Sequence, residues 1–134
     1  MKIDDIDGIG ATQAAKLAEA GVTTTDHLLQ WGANKAGRDS LEATTGISGK
    51  LILEWVNHAD LMRINGVGSE YADLLEAAGV DSPSELAQRN AANLATTFQE
   101  VDAARPDLVR RVPSETEIAG WIAESKTLAK VVEH

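Results

Sequence analysis

The pentapeptide IDGIG, residues 6–10, returns 58 positions later as INGVG, residues 64–68. When the two stretches of 24 residues that begin at these positions are aligned, nine residues are identical. The shared residues are glycines and apolar residues, which determine backbone turns and buried faces. The repeat therefore predicts that one local fold is built twice in this chain of 134 residues.

A second internal similarity, at an offset of 66 residues, pairs GKLILEWV (49–56) with ETEIAGWI (115–122) and aligns Trp55 with Trp121. Internal repeats of this kind define structural units, here of roughly 60 residues each. We therefore predict two units, residues 1–63 and 64–134, joined by a shared helix over Lys50–Arg63.

Short helices account for the pattern that follows each pentapeptide. Ala14, Leu17 and Ala18 have the i, i+3, i+4 spacing of a helix face. Gly21 and Gly79 stand where a helix ends in a left-handed residue. Hydroxyl residues before the next helical patterns are predicted N-caps, two of them in capping boxes with a glutamate: Thr24, Ser48, Ser82 with Glu85, and Ser114 with Glu117. No segment has the pattern of a strand, and the fold class is all-α.

The composition is that of a globular protein with few aromatic residues. Hydrophobic residues make up 43% of the chain and aromatic residues only 4%, so Leu, Ile, Val and Ala must form most of the core. Large side chains then carry much of the packing. We predict that Trp31, Trp55 and Trp121 are core anchors.

Several function classes are disfavoured by what the chain lacks. Without cysteine there is no disulfide, thiolate metal site or cysteine nucleophile. His27, His58 and His134 lack the spacing of metal ligands, and no catalytic motif stands out. We expect no metal, no cofactor and no enzymatic activity. The chain also has no apolar run of about 20 residues and no signal peptide, which predicts a cytoplasmic protein without membrane contact.

The charge balance is acidic, with 12 basic against 21 acidic residues and a net charge of −9. Such a chain has no general attraction to nucleic acid. Charges beyond about 8 Å are largely screened at physiological salt, so the local charge around a site decides what it binds.

The hairpin pattern itself is apolar-x-x-Ile-x-Gly-apolar-Gly-x-x-x-Ala-x-x-Leu, and it runs from Ile3 to Leu17 and from Leu61 to Leu75. This pattern resembles that of the helix-hairpin-helix superfamily. The whole chain is similar to a bacterial family of tandem helix-hairpin-helix proteins catalogued only as a domain of unknown function. The resemblance implies two tandem repeats, each built on one helix-hairpin-helix motif in a SAM-like helical bundle.

The resemblance also implies a function, because the hairpin of this superfamily commonly holds a nucleic-acid phosphate through backbone N–H groups. Free N–H groups and the helix dipole both favour an anion there. Such contacts read no bases, so DNA or RNA backbone would be bound non-specifically and weakly. DNA-binding members usually carry Lys or Arg just after the hairpin, where this chain has Thr12 and Glu70. The residues implied are Gly8, Ile9, Gly10, Ala11 and nearby Lys16, and then Gly66, Val67, Gly68 and Ser69.

Two alternatives remain open at this stage. In the first, the Gly-x-Gly turn serves the fold alone. In the second, Glu70, Asp73 and Glu76 form an acidic stripe on one helix that binds a basic protein. The chain would then be a protein-interaction adaptor that has lost phosphate binding. The only basic cluster, Arg105, Arg110 and Arg111, is the best candidate for an anion contact outside the hairpins.

The first hairpin has no long helix before it, and a predicted helix over residues 117–131 has no hairpin after it. We expect this last helix to supply the packing that the first unit lacks, within the chain or across a dimer. The oligomeric state is otherwise open.

Overall fold

The computed structural model describes all 134 residues as an all-helical protein, which confirms the predicted fold class. Its only strand-like feature is an isolated bridge between Lys2 and Thr24. No helix combines the length and apolar character needed to cross a membrane. The elements are a 3-10 helix (Ile3–Asp5) and eight α-helices, α1 (Ala11–Glu19), α2 (Thr25–Gly32), α3 (Lys35–Thr45), α4 (Gly49–Leu61), α5 (Ser69–Ala77), α6 (Pro83–Leu86), α7 (Ala91–Ala104) and α8 (Glu115–Ser125).

The chain divides into two compact units. The first consists of residues 1–60 together with the last four residues, 131–134, and the second consists of residues 61–130. The long helix expected over Lys50–Arg63 is α4, which ends at Leu61, next to the boundary.

In the first unit, α3 packs against α1 and α2, and the 3-10 helix packs against α1. The terminal residues are tied to this unit, since Glu133 N–H donates to the Ala33 carbonyl at 2.7 Å and the His134 ring lies 2.8 Å from the Asn57 amide oxygen. The buried apolar residues of this unit are Ile3, Ile6, Ile9, Leu17, Val22, Leu28, Leu41, Ile47, Ile52, Trp55, Val56, Ala59 and Val132.

In the second unit, α7 packs against α5 and α8, and α6 packs against α8. Phe98 of α7 is completely buried in a core that also contains Ile64, Leu75, Ile118 and Trp121. The expectation that the last helix completes the first unit within the chain is therefore wrong. Helix α8 buries its apolar face against the hairpin and helices of its own unit, and only the four residues at the end of the chain belong to the first.

The predicted helix caps are largely confirmed. Thr24 accepts a hydrogen bond from His27 N–H at 3.1 Å, and Ser114 and Glu117 form the expected reciprocal pair. Ser82 also caps its helix, but the Glu85 carboxylate does not close a box there. It lies 3.3 Å from Arg89 Nη2 instead, four residues further along the chain and beyond the end of α6.

Two of the three tryptophans are core residues, as predicted, and the third is not. Trp55 and Trp121 are 4% and 5% exposed, whereas Trp31 is 45% exposed. Helix α2 buries Leu28 and Gly32, and Trp31 lies off that buried stripe. The prediction of a core role for Trp31 was wrong, because residue size alone does not tell which face of a helix a residue occupies.

Candidate nucleic-acid interface

The second hairpin is a tight turn that leads directly into α5. Ile64 N–H donates to the Leu61 carbonyl at 3.1 Å, and Val67 N–H donates to the Ile64 carbonyl at 3.0 Å. Gly66 has a φ of +88°, a conformation that side chains disfavour. Val67 is 4% exposed and anchors the turn in the core. The turn thus places the first residues of α5 at the surface in a defined orientation.

Helix α8 supports this hairpin from within the same unit. The Asn65 N–H donates to the two carboxylate oxygens of Glu124 at 3.1 and 3.2 Å. The Trp121 ring lies 5.3 Å from the Tyr71 ring, centroid to centroid, at a tilt of 50°. These contacts connect the turn and the first turn of α5 to α8, whose apolar face is buried in the same unit.

The N-terminus of α5 keeps unpaired backbone donors. The first intrahelical bond runs from Ala72 N–H to the Gly68 carbonyl, and the N–H groups of Gly68, Glu70 and Tyr71 have no partner within the protein. The helix dipole adds partial positive charge at this end. These donors are the kind of group that binds an oxyanion.

The loop between α7 and α8 brings two arginines to these donors. Tyr71 donates its hydroxyl proton to the Arg111 carbonyl at 3.0 Å, and the Arg110 N–H donates to the Glu70 carboxylate. Hairpin and loop together line a cavity of about 490 Å³. Its lining residues are Gly66, Gly68, Ser69, Glu70, Tyr71, Arg110 and Arg111.

Arg110 supplies the positive charge that the sequence lacks just after the hairpin. Its Nε lies 3.7 Å from Glu70 Oε2, and its side chain is 96% exposed. Exposed pairs of this kind are weak, so little free energy holds the guanidinium to the carboxylate. A residue 40 positions away thus places a cation beside Glu70, the residue that makes the local sequence unfavourable for an anion.

Arg111 is held more firmly. Its two terminal nitrogens lie 2.7 and 3.0 Å from the two carboxylate oxygens of Glu117. The hydrogen bond from Arg111, helped by the Ser114 N–H, lowers the pKa of Glu117 from 4.5 to about 2. The same pairing raises the pKa of Arg111 above its ordinary value, so both groups stay charged over the physiological range. Arg111 therefore shapes the cavity wall and leaves Arg110 as the more available cation.

The first hairpin has the same turn, but its backbone amides are bonded differently. Ile9 N–H donates to the Ile6 carbonyl at 3.2 Å, as in the second hairpin, and Gly8 has a φ of +93°. The Gly10 N–H, however, donates to the side-chain oxygen of Gln13 at 3.1 Å. Lys16, expected beside the phosphate, lies in the last turn of α1 and not in its first.

These bonds revise the set of amides implied by the resemblance. The N–H groups of Ile9 and Val67 donate the hydrogen bonds that form the turns, and the Gly10 N–H donates to the Gln13 side chain. Those of Gly8 and Ala11 remain without partners, as do those of Gly66 and Gly68. The two hairpins therefore differ, because the open amides of the second share a cavity with two arginines.

The acidic stripe is not an open row of carboxylates. Glu70 is bonded to Arg110, and its side chain is 35% exposed. Asp73 and Glu76 are half-buried and also have interaction partners within the chain. Arg105, the third residue of the basic cluster, caps the end of α7 and does not line the cavity.

Comparison with known families covers nearly the whole chain. A family model described as "Domain of unknown function (DUF4332)" matches residues 7–128. The chain belongs to this family. The matched region includes both Gly-x-Gly turns, both buried tryptophans and the Arg110–Arg111 loop of this DUF4332 protein. No curated protein and no solved structure matches the chain.

Proposed function

We propose that this DUF4332 protein is a non-catalytic pair of tandem helix-hairpin-helix modules that binds nucleic-acid backbone without sequence preference. The second hairpin is its main phosphate site. One observation carries the proposal: Gly68, Ser69 and Tyr71 of the hairpin and the arginines of a distant loop line one cavity. Neither the hairpin nor the arginine loop would by itself favour an anion site over a turn that serves the fold alone.

The chemistry of the cavity suits a phosphodiester. Backbone N–H groups at the start of α5 bind the oxygens, and the helix dipole stabilises the negative charge. Arg110 contributes a charge-assisted hydrogen bond, which is stronger than one from a neutral donor. Contacts of this kind hold the backbone and read no bases, so the protein is expected to accept many sequences.

The acidic composition limits the affinity and is compatible with the function. With a net charge of −9, the protein repels a polyanion at long range, and the local cations act over about 8 Å at physiological salt. We therefore expect weak binding through few phosphates, in the cytoplasmic setting that the sequence predicts.

The first test is fluorescence anisotropy with labelled single- and double-stranded DNA and RNA, titrated from low to physiological salt. A few phosphate contacts give a slope of log affinity against log salt of roughly −2 to −4, from about −0.9 per contact on duplex DNA. Arg110→Glu should abolish most of the binding. Arg105→Glu is the matched control, because it makes the same change of charge outside the cavity.

Gly68→Val tests the hairpin itself. A β-carbon on Gly68 meets no atom within 4 Å, so the fold accepts it, while the added bulk stands at the rim of the cavity. The proposal requires that Gly68→Val weakens binding more than Gly10→Val in the first hairpin, with both variants folded by circular dichroism. Absence of binding by the wild type at low salt would overturn the proposal, and the adaptor function for a basic protein would then be the hypothesis to test.

A further inference from the structure

The exposed tryptophan of the first unit lies in a surface cleft that the proposed phosphate site does not use. Trp31 is in the last turn of α2, and it is 45% exposed. The cleft has a volume of about 350 Å³ and is lined by Gln30, Trp31, Asn34 and Gly37. It is the only tryptophan of the chain that the fold leaves exposed.

The corner that carries Trp31 is rigid. Asn34 accepts a hydrogen bond from Gly37 N–H at 2.8 Å, and the buried Arg38 donates to the Gly32 carbonyl at 2.7 Å. A β-carbon on Gly37 would lie 1.9 Å from the Trp31 carbonyl oxygen, so only glycine allows this approach of α3 to α2. The tryptophan is therefore presented on a fixed backbone.

The cleft is neutral and amphipathic. The residues that line it are one tryptophan, two carboxamide residues and one glycine, and none of them carries a charge. A free phosphate would need a cation, and a bound ammonium group would be expected to have carboxylates or several aromatic rings around it. A nucleobase needs what is present here, a stacking surface and amide groups that pair with its polar edge.

We propose that Trp31 stacks an unpaired nucleobase, with Gln30 and Asn34 as hydrogen-bonding partners of its edge. The Asn34 oxygen is engaged by Gly37, so its amino group is the donor that remains. The inference rests on the proposed function and adds that the bound nucleic acid is single-stranded, because the bases of a duplex are already stacked on each other. It uses a different unit and a different ligand group from the phosphate site.

The decisive experiment compares a 12-nucleotide adenine strand with a strand of the same length whose residues are all abasic. The two strands have the same phosphates, so the difference in affinity reports the bases. The wild type should bind the adenine strand roughly 5- to 160-fold more tightly, the effect of one aromatic stacking platform. Trp31→Ala should remove this difference, Trp31→Phe should keep part of it, and Arg110→Glu should weaken both strands alike.

A second measurement separates failure of this inference from failure of the phosphate site. Free adenosine carries no phosphate and can be titrated while the three indole N–H resonances are followed by NMR, with Trp31 assigned from its loss in Trp31→Phe. The Trp31 resonance should shift with adenosine and not with ribose, and Gln30→Ala should weaken the response. An unmoved Trp31 resonance, or one that responds to N-acetyl-lysine methylamide instead of adenosine, would overturn the inference even if both strands bind through Arg110.

Discussion

The indole nitrogen of Trp121 lies 3.2 Å from the position that a β-carbon on Gly66 would occupy. The first unit has the corresponding relationship between Trp55 and Gly8, at 3.8 Å. Each hairpin glycine thus has a positive φ and also faces a buried tryptophan from a later helix of its own unit. The absence of a side chain at each turn serves both the backbone conformation and the packing.

Replacing each of these glycines by alanine should separate the two effects. Both variants place an L residue in a left-handed conformation, which costs about 1–2 kcal/mol. Gly66→Ala also forces Trp121 to move, and we expect a total loss of about 2–4 kcal/mol in unfolding free energy against about 1–2 kcal/mol for Gly8→Ala. Urea denaturation followed by circular dichroism measures both values. Equal losses would show that the approach of Trp121 adds nothing.

Removing the negative charge of Glu70 should strengthen nucleic-acid binding. In Glu70→Gln the amide oxygen can still accept the Arg110 N–H, while the carboxylate that competes with phosphate for the guanidinium is gone. We expect affinity to rise about 2- to 5-fold at low salt. Glu100→Gln, an exposed site on α7, is the control with the same change of net charge. A loss of affinity in Glu70→Gln alone would mean that the carboxylate mainly positions the loop.

The Tyr71 hydroxyl should matter for the order of the arginine loop. Tyr71→Phe removes the hydrogen bond to the Arg111 carbonyl and leaves the ring against Trp121. A bond of this type contributes about 0.5–1.5 kcal/mol, so we expect amide exchange in residues 108–112 to become roughly 2- to 10-fold faster. Hydrogen exchange with mass spectrometry measures this.

Thr96→Ala is the matched control for Tyr71→Phe, because it removes a hydroxyl bond to the Ala92 carbonyl on α7, away from the loop. Exchange in residues 108–112 should stay at the wild-type rate in that variant. If it accelerates equally in both, the loop is held by the core and not by Tyr71.

Acid should weaken the contact between Arg111 and Glu117 in a defined pH range. The pKa of Glu117 is lowered from 4.5 to about 2, so its carboxylate contributes stability that is present above about pH 5 and is lost as the pH falls towards 2. The stability difference between the wild type and Glu117→Gln should thus be constant at neutral pH and vanish near pH 2. Denaturation curves at several pH values measure it.

Glu115→Gln serves as the control, because Glu115 lies in the same first turn of α8 without the arginine. A difference between the wild type and Glu117→Gln that persists at pH 2 would mean that the carboxylate does not titrate in this range. NMR titration of the Glu117 side-chain carboxyl carbon gives the midpoint directly.

Local features were readable from the sequence because they depend on neighbouring residues. The left-handed Gly21 and Gly79 and the caps Thr24, Ser82 and Ser114 all follow from short patterns. Glycine conformations and N-caps are governed by bonds within about four residues, so no knowledge of distant chain segments is needed.

Features that depend on distant residues were missed or misjudged. The sequence marked Arg110 and Arg111 as the best anion contact outside the hairpins, but not that Tyr71 would hold their loop beside Gly68. The sequence also did not reveal that the Gln13 side chain accepts the Gly10 N–H, whereas the Gly68 N–H has no partner. Gln13 stands at the third helical position, from which a side chain can form such a bond.

By itself, the sequence determined that this protein is all-helical and has two hairpin turns of the same residue pattern, because glycine conformation and apolar spacing act locally. Tertiary structure decided which hairpin gains cations, which tryptophan stays exposed and which unit the last helix completes. Those outcomes depend on how separate elements pack, as in the bond from Tyr71 to the Arg111 carbonyl 40 positions away, and a local pattern does not encode such contacts.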